Sequence, residues 1–172
     1  MTAGPRVVLC GPTGVGKSTV GALLAERLRM SYRDTDQDLA AREGRPVADI
    51  FVHDGEDYLR DAEARAVAAA LTEHDGVLAL GGGAVLPART RQRLAGLPVV
   101  FLSMSAEEAA RRLPPHHQRP LLGADPQHRW RQLMDARRPL YLSVARVVID
   151  TDAREPDQVV EDILHALVPR SR

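Results

Sequence analysis

The sequence predicts an α/β fold, with a parallel sheet of about five strands covered by helices on both faces. Three observations carry that expectation. Short apolar runs alternate along the chain with helical patterns, the mark of repeated strand–helix–strand units. The run Gly76-Val77-Leu78-Ala79-Leu80 is apolar on both faces, as a strand inside a parallel sheet must be. The first run, Val7-Val8-Leu9-Cys10, leads straight into the glycine-rich stretch Gly11-Pro12-Thr13-Gly14-Val15-Gly16-Lys17-Ser18-Thr19, which opens a helix.

The elements follow in order. Gly11 to Ser18 fit G-x-x-x-x-G-K-S/T, the phosphate-binding loop. Its glycines allow a tight turn close to an anion, and its N–H groups form a concave nest at a helix N-terminus. Lys17 can reach the β- and γ-phosphates, and the Ser18 hydroxyl can ligate Mg²⁺. The helix that follows carries Val20, Leu23, Leu24 and Leu28. A weak strand over Met30 to Arg33 then delivers Asp34 and Asp36 at its carboxyl end, where ligands bind in open α/β sheets. Alternate residues of a strand share a face, so the two acids can point the same way. The competing reading is that Asp36 caps the next helix.

Helices are expected over Leu39 to Glu43, Val47 to Val52 and Glu56 to Leu71, broken at Gly44 and at His53-Asp54-Gly55. Arg60 stands among acids on the last of them, and periodicity alone reads it as a solvated surface residue. The strand from Gly76 to Leu80 runs into Gly81-Gly82-Gly83, either a flexible turn or a place where a ligand touches bare backbone. Leu86 to Leu94 reads as a helix, and Leu97 to Leu102 as a strand. Ser105 caps a helix from Ala106 to Leu113, with Glu107 and Glu108 in its first turn. The stretch from Pro114 to Gly123, with Pro114-Pro115, His116-His117 and Arg119-Pro120, reads as a loop carrying a cationic group. No Cys or acid stands at metal-site spacing from its histidines. A helix from Asp125 to Leu142, a strand over Val147 to Asp150 and a closing helix opened by Pro156 complete the chain.

The chain has 172 residues, which suits one domain with a sizeable core. Lys and Arg number 23, as do Asp and Glu, so no broad field draws the protein to nucleic acid or membrane. Met1 to Pro5 is too short and polar for a signal peptide, and no apolar run approaches the roughly 20 residues of a membrane span. A soluble cytoplasmic protein is the expectation. The single cysteine, Cys10, excludes an intrachain disulfide and reads as a small buried residue.

Taken together, these residues resemble the shikimate kinases, small P-loop kinases related in fold to the nucleoside monophosphate kinases. The resemblance runs from about Val7 to Leu167. It rests on Gly14-Val15-Gly16-Lys17-Ser18-Thr19, Asp34-Thr35-Asp36, Gly55-Glu56-Asp57-Tyr58-Leu59-Arg60-Asp61-Ala62-Glu63, Gly81-Gly82-Gly83, Arg119-Pro120-Leu121-Leu122 and Arg137-Arg138-Pro139-Leu140-Tyr141. It implies a single three-layer P-loop NTPase domain over 1–172 with strand order 2-3-1-4-5, a substrate-binding region at about 34–63 and a mobile lid at about 114–124. It implies transfer of the ATP γ-phosphate to the 3-hydroxyl of shikimate, a step of aromatic amino-acid biosynthesis, by a monomer that uses one Mg²⁺.

The resemblance also implies roles. Lys17, Asp36 and Arg119 would be catalytic, with Asp36 holding the ring hydroxyls and taking the proton of the attacking one. Arg60, Arg137 and the Gly81-Gly82-Gly83 turn would bind shikimate. Gly14 to Thr19 and Arg119 would bind the phosphates, and Arg112, Arg154 and Pro156 would lie near adenine. Ser18 and Asp34 would hold the metal, Asp34 through water. The chain departs from the family pattern at Ala40, Leu59 and Pro114-Pro115. Two other readings stand beside this one: a kinase for another polyol acid such as gluconate, and a nucleotide-binding regulatory module without catalysis.

Overall fold

The computed structural model describes residues 4–112 and 125–167. Among these, strands β1 (Val7–Cys10), β2 (Tyr32–Asp34), β3 (Val77–Ala79), β4 (Val99–Ser103) and β5 (Val147–Asp150) form one parallel sheet. Its order is β2-β3-β1-β4-β5, as the family resemblance implies. The helices are α1 (Lys17–Leu28), α2 (Thr35–Glu43), α3 (Val47–Asp54), α4 (Glu56–Glu73), α5 (Ala88–Leu94), α6 (Ala106–Arg112), α7 (Pro126–Val144) and α8 (Pro156–Leu167). Every residue of β1, β3 and β4 is buried, which requires cover on both faces of the sheet. The chain leaves β1 toward β3 and β2 on one side and returns to β4 and β5 on the other. The crevice beyond the carboxyl ends of β1 and β3 is therefore the topological switch point where α/β folds bind ligands.

The main core is Val, Leu and Ala around Phe101 and Tyr141, whose rings meet edge to face at 4.9 Å. Leu39, Ile50, Leu59 and Ala62 form a second, smaller core beneath α2, α3 and α4, with Val47 and Phe51 against it. Leu59, one of the family departures, is thus a packing residue of that region. Cys10 is fully buried, and burial pushes its thiol up to about 12.

Several element ends differ from expectation for local reasons. The strand expected from Met30 begins at Tyr32, because Arg29 takes a left-handed cap at φ 55° and the Met30 N–H closes α1 by donating to Ala25 O at 2.9 Å. That turn commits Met30 to the helix end. The helix expected from Leu39 starts at Thr35, because Asp34 caps it. α3 continues to Asp54 and stops at Gly55, whose φ of 89° suits only glycine. Ser105 caps α6 as expected, accepting from Glu108 N at 3.2 Å. Leu113 and the expected lid lie outside the described residues.

Candidate active site

The phosphate loop bridges β1 and α1. Gly16, at φ 103°, is the residue that turns the chain into the helix, so Lys17 and Ser18 stand in its first turn. The Lys17 ammonium donates to Gly11 O at 2.6 Å and to Pro12 O at 3.0 Å, which holds it folded back over the loop. Burial lowers its pKa to about 8, against the opposing pull of Asp36, Cys10 and Asp34. A phosphate would replace those carbonyls with anionic acceptors and restore the full charge.

Asp34 and Asp36 divide their work in a way that strand alternation does not anticipate. Asp34 ends β2, and its Oδ1 caps α2 by accepting from Asp36 N at 2.8 Å and Gln37 N at 3.4 Å. Its other oxygen, Oδ2, accepts from Ser18 Oγ at 3.4 Å and from the Tyr32 hydroxyl at 3.2 Å. The cap is therefore Asp34, and Asp36 sits inside the first turn of α2 rather than on the strand. Asp36 Oδ1 is buried with no hydrogen-bond partner. Burial and the neighbouring Asp34 raise its pKa, while Lys17 and Arg60 oppose them. An unpartnered buried carboxylate oxygen is costly unless a ligand completes it.

The glycine turn after β3 is closely packed rather than loose. A Cβ at Gly81 would lie 2.3 Å from Asp36 Oδ1, and one at Gly83 would lie 2.0 Å from Arg60 Nη1. At Gly82 it would lie 2.9 Å from Thr13 Oγ1 of the phosphate loop. Backbone, acid, arginine and phosphate loop thus converge on one turn, and side chains there would displace them. Gly81 N donates to the buried Thr35 hydroxyl at 3.2 Å, tying the turn to the head of α2.

Arg60 is only 13 % exposed, which corrects the surface reading that periodicity gives. Its Nη1 donates to Glu63 at 3.1 Å. Its Nε is buried with no hydrogen-bond partner, the Glu56 carboxylate standing 3.6 Å away. Glu63 is a site residue that sequence reasoning missed, although it closes the motif that contains Arg60. Burial raises its pKa to about 7 against the pull of Arg60. Arg137 is buried on α7, and its charge acts on Lys17, Glu63 and Tyr141.

The other expected site residues divide three ways. Arg112 is a strut between loops. It donates to Val15 O at 3.1 Å, to Thr151 Oγ1 at 3.1 Å and to Thr151 O at 2.7 Å, with Glu108 on its Nε. Arg154 is paired with Asp162 on α8, and Pro156 is the first residue of that helix. Arg119 lies outside the described residues. Ser18 and Asp34 supply hard oxygen donors that face each other. Among the described residues no group of three or more His, Cys, Asp or Glu could cage a metal, so an ion here would depend on phosphate and water.

Comparison with known proteins agrees with this geometry. A family model described as Shikimate kinase matches residues 13–168. A shikimate kinase of Streptomyces avermitilis is 60% identical over 163 residues, covering 95% of each chain. One from Streptomyces coelicolor is 55% identical with the same coverage. Among solved structures, a shikimate kinase from Acinetobacter baumannii in complex with shikimate matches with a TM-score of 0.89 at 33% identity, over 95% of this chain and 93% of that one. With a family match over most of the chain, close relatives at full length and the same sheet order, the chain belongs to the shikimate kinase family.

Proposed function

We propose that the protein is an ATP-dependent shikimate kinase, which transfers the γ-phosphoryl group of ATP to the 3-hydroxyl of shikimate and releases ADP and shikimate 3-phosphate. The observation that carries the reading is the convergence of Asp36 and Arg60 on the Gly81–Gly83 turn beside the phosphate loop, with Asp36 Oδ1 and Arg60 Nε buried and without a hydrogen-bond partner. The pocket waits for a ligand with a hydroxyl for the acid and an anion for the arginine. Arg60 and Arg137 bind the substrate carboxylate, for which guanidinium forks are suited. The amides of Gly82 and Gly83 line the same pocket.

Phosphoryl transfer asks the protein for in-line positioning and for neutralisation of charge on the transferring group. Asp36 accepts a hydrogen bond from the attacking hydroxyl and takes its proton as the new O–P bond forms and the bond to the ADP oxygen breaks. Its raised pKa makes it a readier acceptor than an exposed aspartate. Lys17 and the loop amides hold the β- and γ-phosphates, and Arg119 covers them. Ser18 and Asp34 fit Mg²⁺, which when bound neutralises phosphate charge and leaves the β–γ bridge easier to break. The protein works as a cytoplasmic monomer on small soluble substrates, and its buried thiol suits a reducing compartment.

A coupled ADP-release assay tests the reading, with shikimate, with gluconate and with neither. Turnover that depends on shikimate is expected. Turnover with gluconate alone would transfer the site to another polyol acid. Nucleotide binding without turnover on either would favour a regulatory module.

A further inference from the structure

The proposed function makes no use of Tyr141, the largest fully buried side chain among the described residues. It lies on α7 one turn after Arg137, so the two share a helix face. Its hydroxyl donates to Gly82 O, across 59 residues of sequence. Burial raises the pKa of this hydroxyl to about 12, and the nearby positive charge of Arg137 opposes that rise. A carbonyl oxygen can only accept, so the polarity of this bond is fixed: the Tyr141 O–H donates to Gly82 O.

Gly82 C=O and Gly83 N–H belong to one peptide group, and that group is planar and trans. A carbonyl drawn toward Tyr141 sends the Gly83 N–H the opposite way. Among the described residues neither Gly82 N–H nor Gly83 N–H has a hydrogen-bond partner. A glycine peptide has little steric reason to keep one orientation, and rotation would turn the N–H away from the pocket.

We infer that Tyr141 is a positioning residue for substrate binding: its hydroxyl locks the Gly82–Gly83 peptide with the Gly83 N–H facing the acceptor pocket. The inference rests on the proposed function for the identity of the ligand. The lock itself exists without ligand.

The test is Tyr141→Phe, which keeps the ring and removes the oxygen. Shikimate and ADP affinities are measured by calorimetry, and the Gly83 amide is followed by ¹⁵N–¹H spectroscopy without ligand. Loss of a hydrogen bond to the preceding carbonyl moves an amide ¹⁵N resonance, so Gly83 should shift more than other residues of the turn. Shikimate Kd and KM should rise about five- to tenfold, while kcat changes less than threefold and ADP affinity stays within twofold. Phe101→Leu, which loosens the packing against the Tyr141 ring without touching a hydrogen bond, should leave shikimate Kd nearly unchanged. A Kd within twofold of wild type in Tyr141→Phe overturns the inference. So does equal weakening of both ligands, or reproduction of the effect by Phe101→Leu. If wild type binds no shikimate, the proposed function fails and the spectrum alone decides: a selective Gly83 shift supports the lock, and an unmoved Gly83 refutes it.

Discussion

Replacing Asp36 by Asn separates catalysis from stability at this site. The cap of α2 is Asp34, so Asn at 36 leaves both capping bonds in place. The native fold raises the pKa of Asp36, so the folded state holds the proton more readily than the unfolded chain does. Its charge therefore costs stability as pH rises through the carboxylate range, and Asp36→Asn should be no less stable than wild type at pH 7. Turnover should behave in the opposite way. Asn offers an NH₂ where an acceptor is needed and cannot take a proton. The loss in kcat/KM for shikimate should be at least about a hundredfold, or about 2.7 kcal/mol of transition-state stabilisation. Asp34→Ala is the companion variant: loss of the cap costs about 1 kcal/mol, a fall in Tm of about 2–4 °C for a chain of this length. Thermal melts, ADP affinity and coupled turnover are read on the same preparations. An Asp36→Asn enzyme with near-normal turnover, or one that melts several degrees early, would refute the division of labour between the two acids.

Arg60→Ala and Arg137→Ala should each weaken shikimate binding by roughly 2–4 kcal/mol, because a buried carboxylate is left underpaired. Calorimetry checks this, and an unchanged Kd would remove that arginine from the site. Glu63 titrates near neutrality beside Arg60, and a second carboxylate on that arginine pushes its pKa higher still. Shikimate binding at about pH 7.5 should therefore take up a fraction of a proton, and uptake should vanish near pH 5, where Glu63 already carries one. Calorimetry in buffers of differing ionisation enthalpy measures it, and Glu63→Gln should abolish it. Arg119→Ala should lower kcat by on the order of a hundredfold with shikimate affinity nearly unchanged; a kcat within about threefold of wild type would reassign that arginine.

The phosphate loop was legible because its chemistry is local: strand, glycines, lysine and helix are contiguous. Strand and helix alternation gave the fold class for the same reason, while the strand order came from the family resemblance. Asp34 and Asp36 were found, but which of them caps the helix was not legible: Asp34 does, and α2 begins at Thr35, so Asp36 lies in its first turn. Arg60 reads as a surface residue on its own helix because its burial comes from the Gly83 turn, 23 residues away. Glu63 could have been suspected as an acid one turn beyond an arginine assigned to the site. Nothing in the sequence connects Tyr141 with Gly82, because only the packing of α7 against the sheet brings them together.

The strand order also bears on how the chain folds. β1 is central, yet its partners are β3, paired as Val7 with Val77, and β4, paired as Val8 with Val99. β2 follows β1 in sequence but pairs with β3. The leading segment therefore has no sheet to join until the third strand has been synthesised, and β1 stays an edge until the fourth arrives. Such long-range parallel pairing is slow, since loop closure must be complete before any strand contact forms. On the ribosome the phosphate loop acquires its rigid footing only after β3 and β4 have emerged. Until then Val7-Val8-Leu9-Cys10 is an unpaired apolar strand, a segment exposed to aggregation.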